Sequence, residues 1–178
     1  MTPDELKALV RTVPDFPHQG ILFRDITTLI GHGPGFAATI ALLAARAEAA
    51  GAQAIAGIEA RGFIFAAAVA ARLGRGCVPV RKPGKLPVPS LALDYALEYG
   101  TDTLEIDPGA IAEGQRVVLI DDLIATGGTA RAAAQLLRRA GGVVDRALFV
   151  IDLPDLGGAD RLRAEAVTVE ALMDFPGH

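Results

Sequence analysis

Strand-length apolar runs alternate with helix-forming segments along most of this chain, and that alternation constrains the fold more than any other feature. "QAIAGI" (53–58), "CVPV" (77–80), "QRVVLI" (115–120), "VVDRALFVI" (143–151) and "AVTVEAL" (166–172) read as strands. Around them, "FAATIALLAARAEAA" (36–50), "FIFAAAVAARLG" (63–74) and "TARAAAQLLRRAGG" (129–142) read as helices, with Gly51 stopping the first and glycines closing the last. The strands are apolar along their whole length rather than alternating with polar residues. Such strands are covered on both faces. The pattern therefore predicts an α/β fold: an open, mainly parallel twisted sheet flanked by helices.

The length of 178 residues fits one domain, residues 1–178, with a sizeable core. No linker or internal repeat marks a second. A net charge of −4 argues against broad, charge-driven binding to nucleic acid. A lone cysteine, Cys77, forms no internal disulfide and reads as a small buried hydrophobe of a reduced, cytoplasmic protein. The N-terminal "MTPDELKALVRTV" reads as a capped amphipathic helix. It carries Asp4 and Glu5 where a signal peptide would carry positive charge. Apolar stretches such as "FIFAAAVAA" fall well short of the roughly 20 residues that span a bilayer, so no membrane association is expected. The histidines His18, His32 and His178 are scattered and show no zinc spacing.

Two segments break the alternation. "RTVPDFPHQGILFRDITTLIGHGPG" (11–35) is rich in proline and glycine. "RKPGKLPVPSLALDYALEYGTDTLEIDPG" (81–109) starts as a proline-rich loop and then reads as a hairpin, its arms "LDYALEYG" and "DTLEI" joined near Gly100 and Thr101. Excursions this long from a compact sheet are usually lids or binding loops.

The chemistry concentrates in "VVLIDDLIATGGTARAAAQLL" (117–137). Four apolar residues lead into adjacent carboxylates, Asp121 and Asp122, at the predicted end of a strand. Ligands of open parallel sheets bind beyond such ends. The turn Ala125–Thr126–Gly127–Gly128–Thr129 then opens a helix. Its glycines let backbone amides approach a ligand, its threonines add hydroxyls, and the helix dipole favours an anion. A phosphate in the amide cradle and two hydroxyls on the carboxylates, directly or through a metal, describe a ribose 5-phosphate. The loop is neither a Walker A nor a G-x-G-x-x-G pattern.

"VVLIDDLIATGGTA" resembles the phosphoribosyl-pyrophosphate motif of the type I phosphoribosyltransferases. "PDFPHQGILFRDIT" (14–27), "GIEARGFIFAAAVA" (57–70), "VRKPGKLP" (80–87), "YALEYGTDTLEI" (95–106) and "LPDLGG" (153–158) resemble the adenine-using branch of that family, over nearly the whole chain and in order. The resemblance implies a small hood over the site and a flexible catalytic loop. It also implies a homodimer, and transfer of the 5-phosphoribosyl group from phosphoribosyl pyrophosphate to adenine with Mg²⁺, giving AMP and pyrophosphate.

The roles it implies are as follows. Ala60 and Arg61, on a short strand-to-helix loop, form a second anion site, and Arg81, Lys82 and Lys85 join them on pyrophosphate. Leu22, Phe23 and Arg24, on a loop outside the sheet, hold the base, with Leu123 closing its other face and backbone groups reading its edge. Glu98 and Tyr99 approach the reacting centre, Glu98 as the proton-transfer group. One departure is Thr28, where that branch often has proline, with loop mobility as its expected effect. Two other readings make different predictions. A 6-oxopurine or orotate enzyme would differ in the base segment. A nucleotide-responsive regulator gripping nucleic acid would carry a basic face or domain.

Overall fold

The computed structural model describes residues 1–96 and 100–177. Helix α1 (Pro3–Lys7) is short but well capped. The Thr2 hydroxyl accepts from the Glu5 N–H while the Glu5 carboxylate accepts from the Thr2 N–H, a reciprocal capping box. Strands β1 (Arg11–Pro14) and β2 (Leu22–Asp25) then pair antiparallel as a separate ribbon. Helix α2 (Thr27–Gly31) and the long α3 (Gly33–Ala49) follow, and Gly51 adopts φ +72° as the chain turns into the sheet.

From there the alternation read in the sequence holds. The order is β3 (Ala54–Ile58), α4 (Arg61–Leu73), β4 (Gly76–Val80), β5 (Leu91–Ala96), β6 (Thr101–Ile106), β7 (Arg116–Ile124), α5 (Gly128–Arg139), β8 (Val143–Asp152), α6 (Gly158–Arg163) and β9 (Thr168–Asp174). Five strands form one parallel sheet in the order β4-β3-β7-β8-β9. One face packs a core with α5 and the β5–β6 hairpin, centred on Leu119, Leu136 and Phe149. The other packs a core with α3 and α4, centred on Ile55, Phe65 and Val118. Strand β3 is buried at every position, as its unbroken apolar run requires. No helix of the described residues is long and apolar enough to cross a membrane.

The hairpin of β5 and β6 forms in the expected place, with Leu91 opposite Ile106 and Tyr95 opposite Asp102. It is tied to the sheet by a two-way backbone bridge between Arg81 and Glu105, both bonds 2.8 Å. Four expectations need correction. The helix read over residues 1–13 ends at Lys7, and Arg11–Val13 lie on β1, where pairing with β2 satisfies their backbone groups. Leu22, Phe23 and Arg24 lie on β2 rather than on a loop, because the ribbon satisfies backbone groups that the apolar Leu22–Phe23 pair cannot. Cys77 is exposed, not buried, because it lies on the edge strand β4, whose Cys77 and Pro79 are open while Val78 and Val80 are buried. The strand read as 115–120 runs on to Ile124, so the acidic pair lies within it.

That last correction locates the site. On one side, β7 pairs with β3 only as far as Gly57–Ile120. On the other, it stays paired with β8 as far as Ile124–Asp152. Chain connections leave β3 toward β4 and leave β7 toward β8, in opposite directions. Asp121 and Asp122 therefore stand where the sheet opens at its topological switch point, the crevice in which doubly wound sheets bind ligands.

Candidate active site

A cleft of about 460 Å³ occupies this crevice, lined by the 58–61 turn, by Lys82 and by residues 121–130. Its floor is the acidic pair. Asp122 is buried, its side chain 7% exposed, and Arg61 Nε reaches it at 2.6 Å. Burial, followed by the charge of Asp122, pushes the Asp121 carboxyl well above the usual carboxylate range. The Asp122 N–H donates to Asp121 Oδ1 at 2.9 Å, which aims the carboxylate. The close packing explains Gly62. A Cβ there would lie 2.5 Å from Asp121 Oδ1 and 3.3 Å from the Ile120 carbonyl.

Arg61 is the first residue of α4, and Ala60 is its N-cap with no side-chain hydrogen bond. A cation at a helix N-terminus is opposed by the dipole. Its place there is explained by Asp122 beneath it, which Nε meets at 2.6 Å.

The amide cradle takes the form its residues require. Gly127 adopts φ +82° and caps α5, which begins without any side-chain cap. The first-turn N–H groups of such a helix are left for a ligand. The cradle is braced from behind by the start of α6. Gly158 N–H donates to the Ala125 carbonyl at 3.0 Å, and Arg161 Nη1 donates to the Thr126 carbonyl at 2.8 Å. The approach is so close that a Cβ on Gly158 would fall 2.2 Å from the Ala125 oxygen. The sequence signal for this brace is the "LGG" before α6.

The basic segment divides. Glu59 accepts from Arg81 Nε at 3.0 Å and from the Lys82 N–H at 2.9 Å, and these bonds, the backbone one foremost, lower its pKa. Lys82 alone of the three cations lines the cleft. Its ammonium is paired with Asp102 and donates to the Tyr95 hydroxyl at 3.3 Å. Arg81 faces Glu59 and the Phe63 ring, and Lys85 is exposed. Tyr95 and Asp102 were missed in the sequence. The period-2 exposure of β5 puts Tyr95 on the inward side with Leu91 and Leu93, which is the signal that identifies it.

Of the base-site residues, Leu123 lines the cleft. Phe23 reaches its rim: the Arg61 guanidinium lies 5.9 Å from its ring centre, and Phe16 packs edge-on against it at 5.1 Å. Leu22 is exposed, and the Arg24 side chain turns away to Thr12, the Pro176 carbonyl and the Phe175 ring. Glu98 and Tyr99 lie outside the described residues.

A doubly wound sheet with an uncapped helix beside an acidic pair at its switch point is the architecture of a phosphoribosyltransferase, and residues 28–163 match the model of the phosphoribosyl transferase domain. An adenine phosphoribosyltransferase of Novosphingobium aromaticivorans is 74% identical over 178 residues, covering 100% of both chains. The crystal structure of adenine phosphoribosyltransferase from Thermoanaerobacter pseudethanolicus superposes with a TM-score of 0.92 at 48% identity, over 98% of this chain and 100% of that one. The Saccharomyces cerevisiae enzyme, crystallised with adenine and an imino-altritol bisphosphate, gives 0.90 at 37% identity, over 96% and 97%. The chain belongs to the adenine phosphoribosyltransferase family.

Proposed function

We propose that this protein transfers the 5-phosphoribosyl group of phosphoribosyl pyrophosphate to adenine, releasing AMP and pyrophosphate, as one domain working in a cytoplasmic homodimer. The observation that carries this reading is the uncapped start of α5 at Gly127–Gly128 directly after the acidic pair on β7. The amides and hydroxyls of Thr126–Thr129 hold the 5′-phosphate. Asp121 and Asp122 accept hydrogen bonds from the ribose hydroxyls and favour the positive charge that develops at C1′ as its bond to pyrophosphate breaks. Ala60, Arg61 and Lys82 hold the departing pyrophosphate, with Arg81 and Lys85 flanking the route. Phe23 and Leu123 stack the base. The β5–β6 hairpin excludes water, which otherwise hydrolyses the activated sugar.

The carboxylates also fit a magnesium ion brought with the substrate. Among the described residues no cluster of three or more His, Cys, Asp or Glu side chains forms a complete protein cage. Magnesium commonly takes one or two carboxylates and completes its shell with substrate phosphates and water. Asp121, whose pKa is raised by burial first and then by the charge of Asp122, suits that role beside Asp122, because a bound cation would offset both effects. When bound, the ion neutralises pyrophosphate as a leaving group.

Glu98 moves the proton of the purine imidazole nitrogen. Adenine selectivity rests on backbone groups near Leu22 and Arg24. A site that pairs an amino donor leaves an unpaired acceptor with a 6-oxopurine, and such mismatches discriminate by about 10⁴-fold. The test is product formation from adenine, hypoxanthine, guanine and orotate with the activated sugar and Mg²⁺. AMP from adenine is expected, and its absence defeats the reading.

A further inference from the structure

We propose that Asp102 is a positioning residue that holds Lys82 while pyrophosphate is absent, competes with pyrophosphate for it, and thereby favours pyrophosphate release. The inference rests on the assignment of Lys82 to pyrophosphate made above. Three observations carry it.

The first is that the backbone of Lys82 is fixed while its side chain is not. Its N–H is held by Glu59 Oε2 at 2.9 Å, and its neighbour Arg81 is bridged to Glu105. Only the four-carbon stem can carry the ammonium from one partner to another.

The second is the set of partners. Asp102 stands on β6 directly opposite Tyr95 on β5, and Lys82 Nζ pairs with Asp102 Oδ2. The other Asp102 oxygen accepts the Thr103 N–H at 2.8 Å, so this carboxylate is fixed in place. The Tyr95 hydroxyl donates to Asp102 at 3.1 Å and accepts from Lys82 and from Thr129 Oγ1, both at 3.3 Å. A phenol has one proton to give and two acceptor positions, so its capacity is used in full. The Lys82 ammonium therefore has two fixed partners beside the cleft, Asp102 and Tyr95.

The third is charge. Lys82 lines the cleft and Asp102 does not. A polyanion entering the cleft attracts Lys82 away from the carboxylate behind it. Lys82 and Asp102 side chains are 37% and 28% exposed, which leaves the pair wet enough to exchange rather than locked. The hydrogen bond from Lys82 lowers the Asp102 pKa, so the competing carboxylate is ionised at neutral pH.

The experiment is calorimetric titration of inorganic pyrophosphate, with Mg²⁺, into the full-length protein and the variants Asp102→Asn, Lys82→Met and their double combination. Asparagine keeps an acceptor for the Thr103 N–H and removes the charge. Asp102→Asn is expected to bind pyrophosphate about three- to tenfold more tightly than the parent, tenfold being 1.4 kcal/mol. In the Lys82→Met background the same change is expected to tighten nothing. A merely structural role would weaken binding instead. Unchanged or weaker binding by Asp102→Asn overturns the inference, and so does tightening that persists without Lys82. Asp102→Ser serves as the second variant if the asparagine protein does not fold. A parent protein that binds no pyrophosphate and makes no AMP defeats the functional reading itself. A parent that binds normally, beside an unchanged Asp102→Asn, defeats only this proposal.

Discussion

Arg61 Nε lies 2.6 Å from the Asp122 carboxylate, and the adjacent Asp121 has its own pKa raised by burial and by that same carboxylate. The arrangement costs stability. Burial first, then Asp122, raises the Asp121 pKa above its unfolded value of about 3.8. The folded state thus holds the Asp121 proton more tightly than the unfolded chain. The associated stability is fully present below pH 3.8 and is lost as pH rises through the elevated folded pKa. Asp121→Asn, which keeps an acceptor for the Asp122 N–H, should be more stable than the parent at pH 8. The gain should be about 0.5–2 kcal/mol, as for other substitutions that relieve a functional site. The gap should close as the pH approaches 4, and turnover should fall sharply. Urea melts across pH check the first part. A variant less stable than the parent at pH 8 contradicts it.

Gly127→Ala tests the cradle. At φ +82° a side chain costs about 1–2 kcal/mol, and its Cβ would lie 2.7 Å from the Gly158 carbonyl and 2.9 Å from its Cα. Neither contact is the end of a flexible chain. A melt should show a loss above 2 kcal/mol, and ribose 5-phosphate binding should weaken at least tenfold. A protein that melts and binds like the parent would show that the turn is not held in this form.

Much of this site was legible in the sequence. Asp121–Asp122 and Ala125–Thr129 are consecutive, and local chemistry dictates what such a turn can hold. What escaped depends on residues distant along the chain. The partner of Asp122 is Arg61 at the other wall of the crevice, and the brace on the Thr126 carbonyl is Arg161. The strand containing the acidic pair was read four residues short, because charges ordinarily end a buried run and here a ligand crevice excuses them. Strand β2 and helix α2 are hidden by prolines and glycines that read as punctuation, and Arg11–Val13 of β1 by the helical pattern of the N-terminus. The sequence alone suggests only loop mobility for Thr28. The structure gives its hydroxyl two bonds that proline lacks.

Those bonds make Thr28 testable. Its hydroxyl donates to the Leu9 carbonyl at 2.6 Å and accepts the Arg11 N–H at 3.2 Å. Thr28→Val should cost about 1 kcal/mol of stability with turnover unchanged. Thr28→Pro sits in the first turn of α2, where proline is tolerated. It should recover part of that loss, about 0.4–1 kcal/mol, by stiffening the unfolded chain. Equal denaturation midpoints for all three proteins would remove the hydroxyl's structural role.

Asp25 should dominate part of the acid limb. Its carboxylate accepts from the Thr27 hydroxyl at 2.7 Å, from the Thr27 N–H at 2.9 Å and from Arg11 Nε at 3.1 Å. These bonds, the Thr27 hydroxyl first, lower its pKa from 3.8 to about 2. A depressed carboxylate contributes stability that is present above pH 3.8 and lost as pH falls toward 2. Asp25→Asn should lose on the order of 2 kcal/mol at neutral pH and show a flatter stability profile between pH 4 and pH 2. A parent and variant with parallel profiles would contradict this assignment.

The proposed stacking of the base on Phe23 is testable. Its ring stands at the cleft rim under the Arg61 guanidinium, held edge-on by Phe16. Its β2 backbone is fixed by pairing with Val13, so truncating the side chain should leave the ribbon intact. Stacking of a base on an aromatic face is worth about 1–3 kcal/mol. Phe23→Ala should therefore raise the KM for adenine roughly 5- to 150-fold, while the Kd for pyrophosphate moves by less than about twofold, because Arg61 keeps its bond to Asp122. Phe23→Tyr, which keeps the ring, should stay close to the parent. Steady-state kinetics with adenine varied, beside pyrophosphate calorimetry, separate the two effects. An unchanged adenine KM in Phe23→Ala would move the base to another wall of the cleft, and a loss of pyrophosphate binding would mean that Phe23 serves Arg61 rather than the purine.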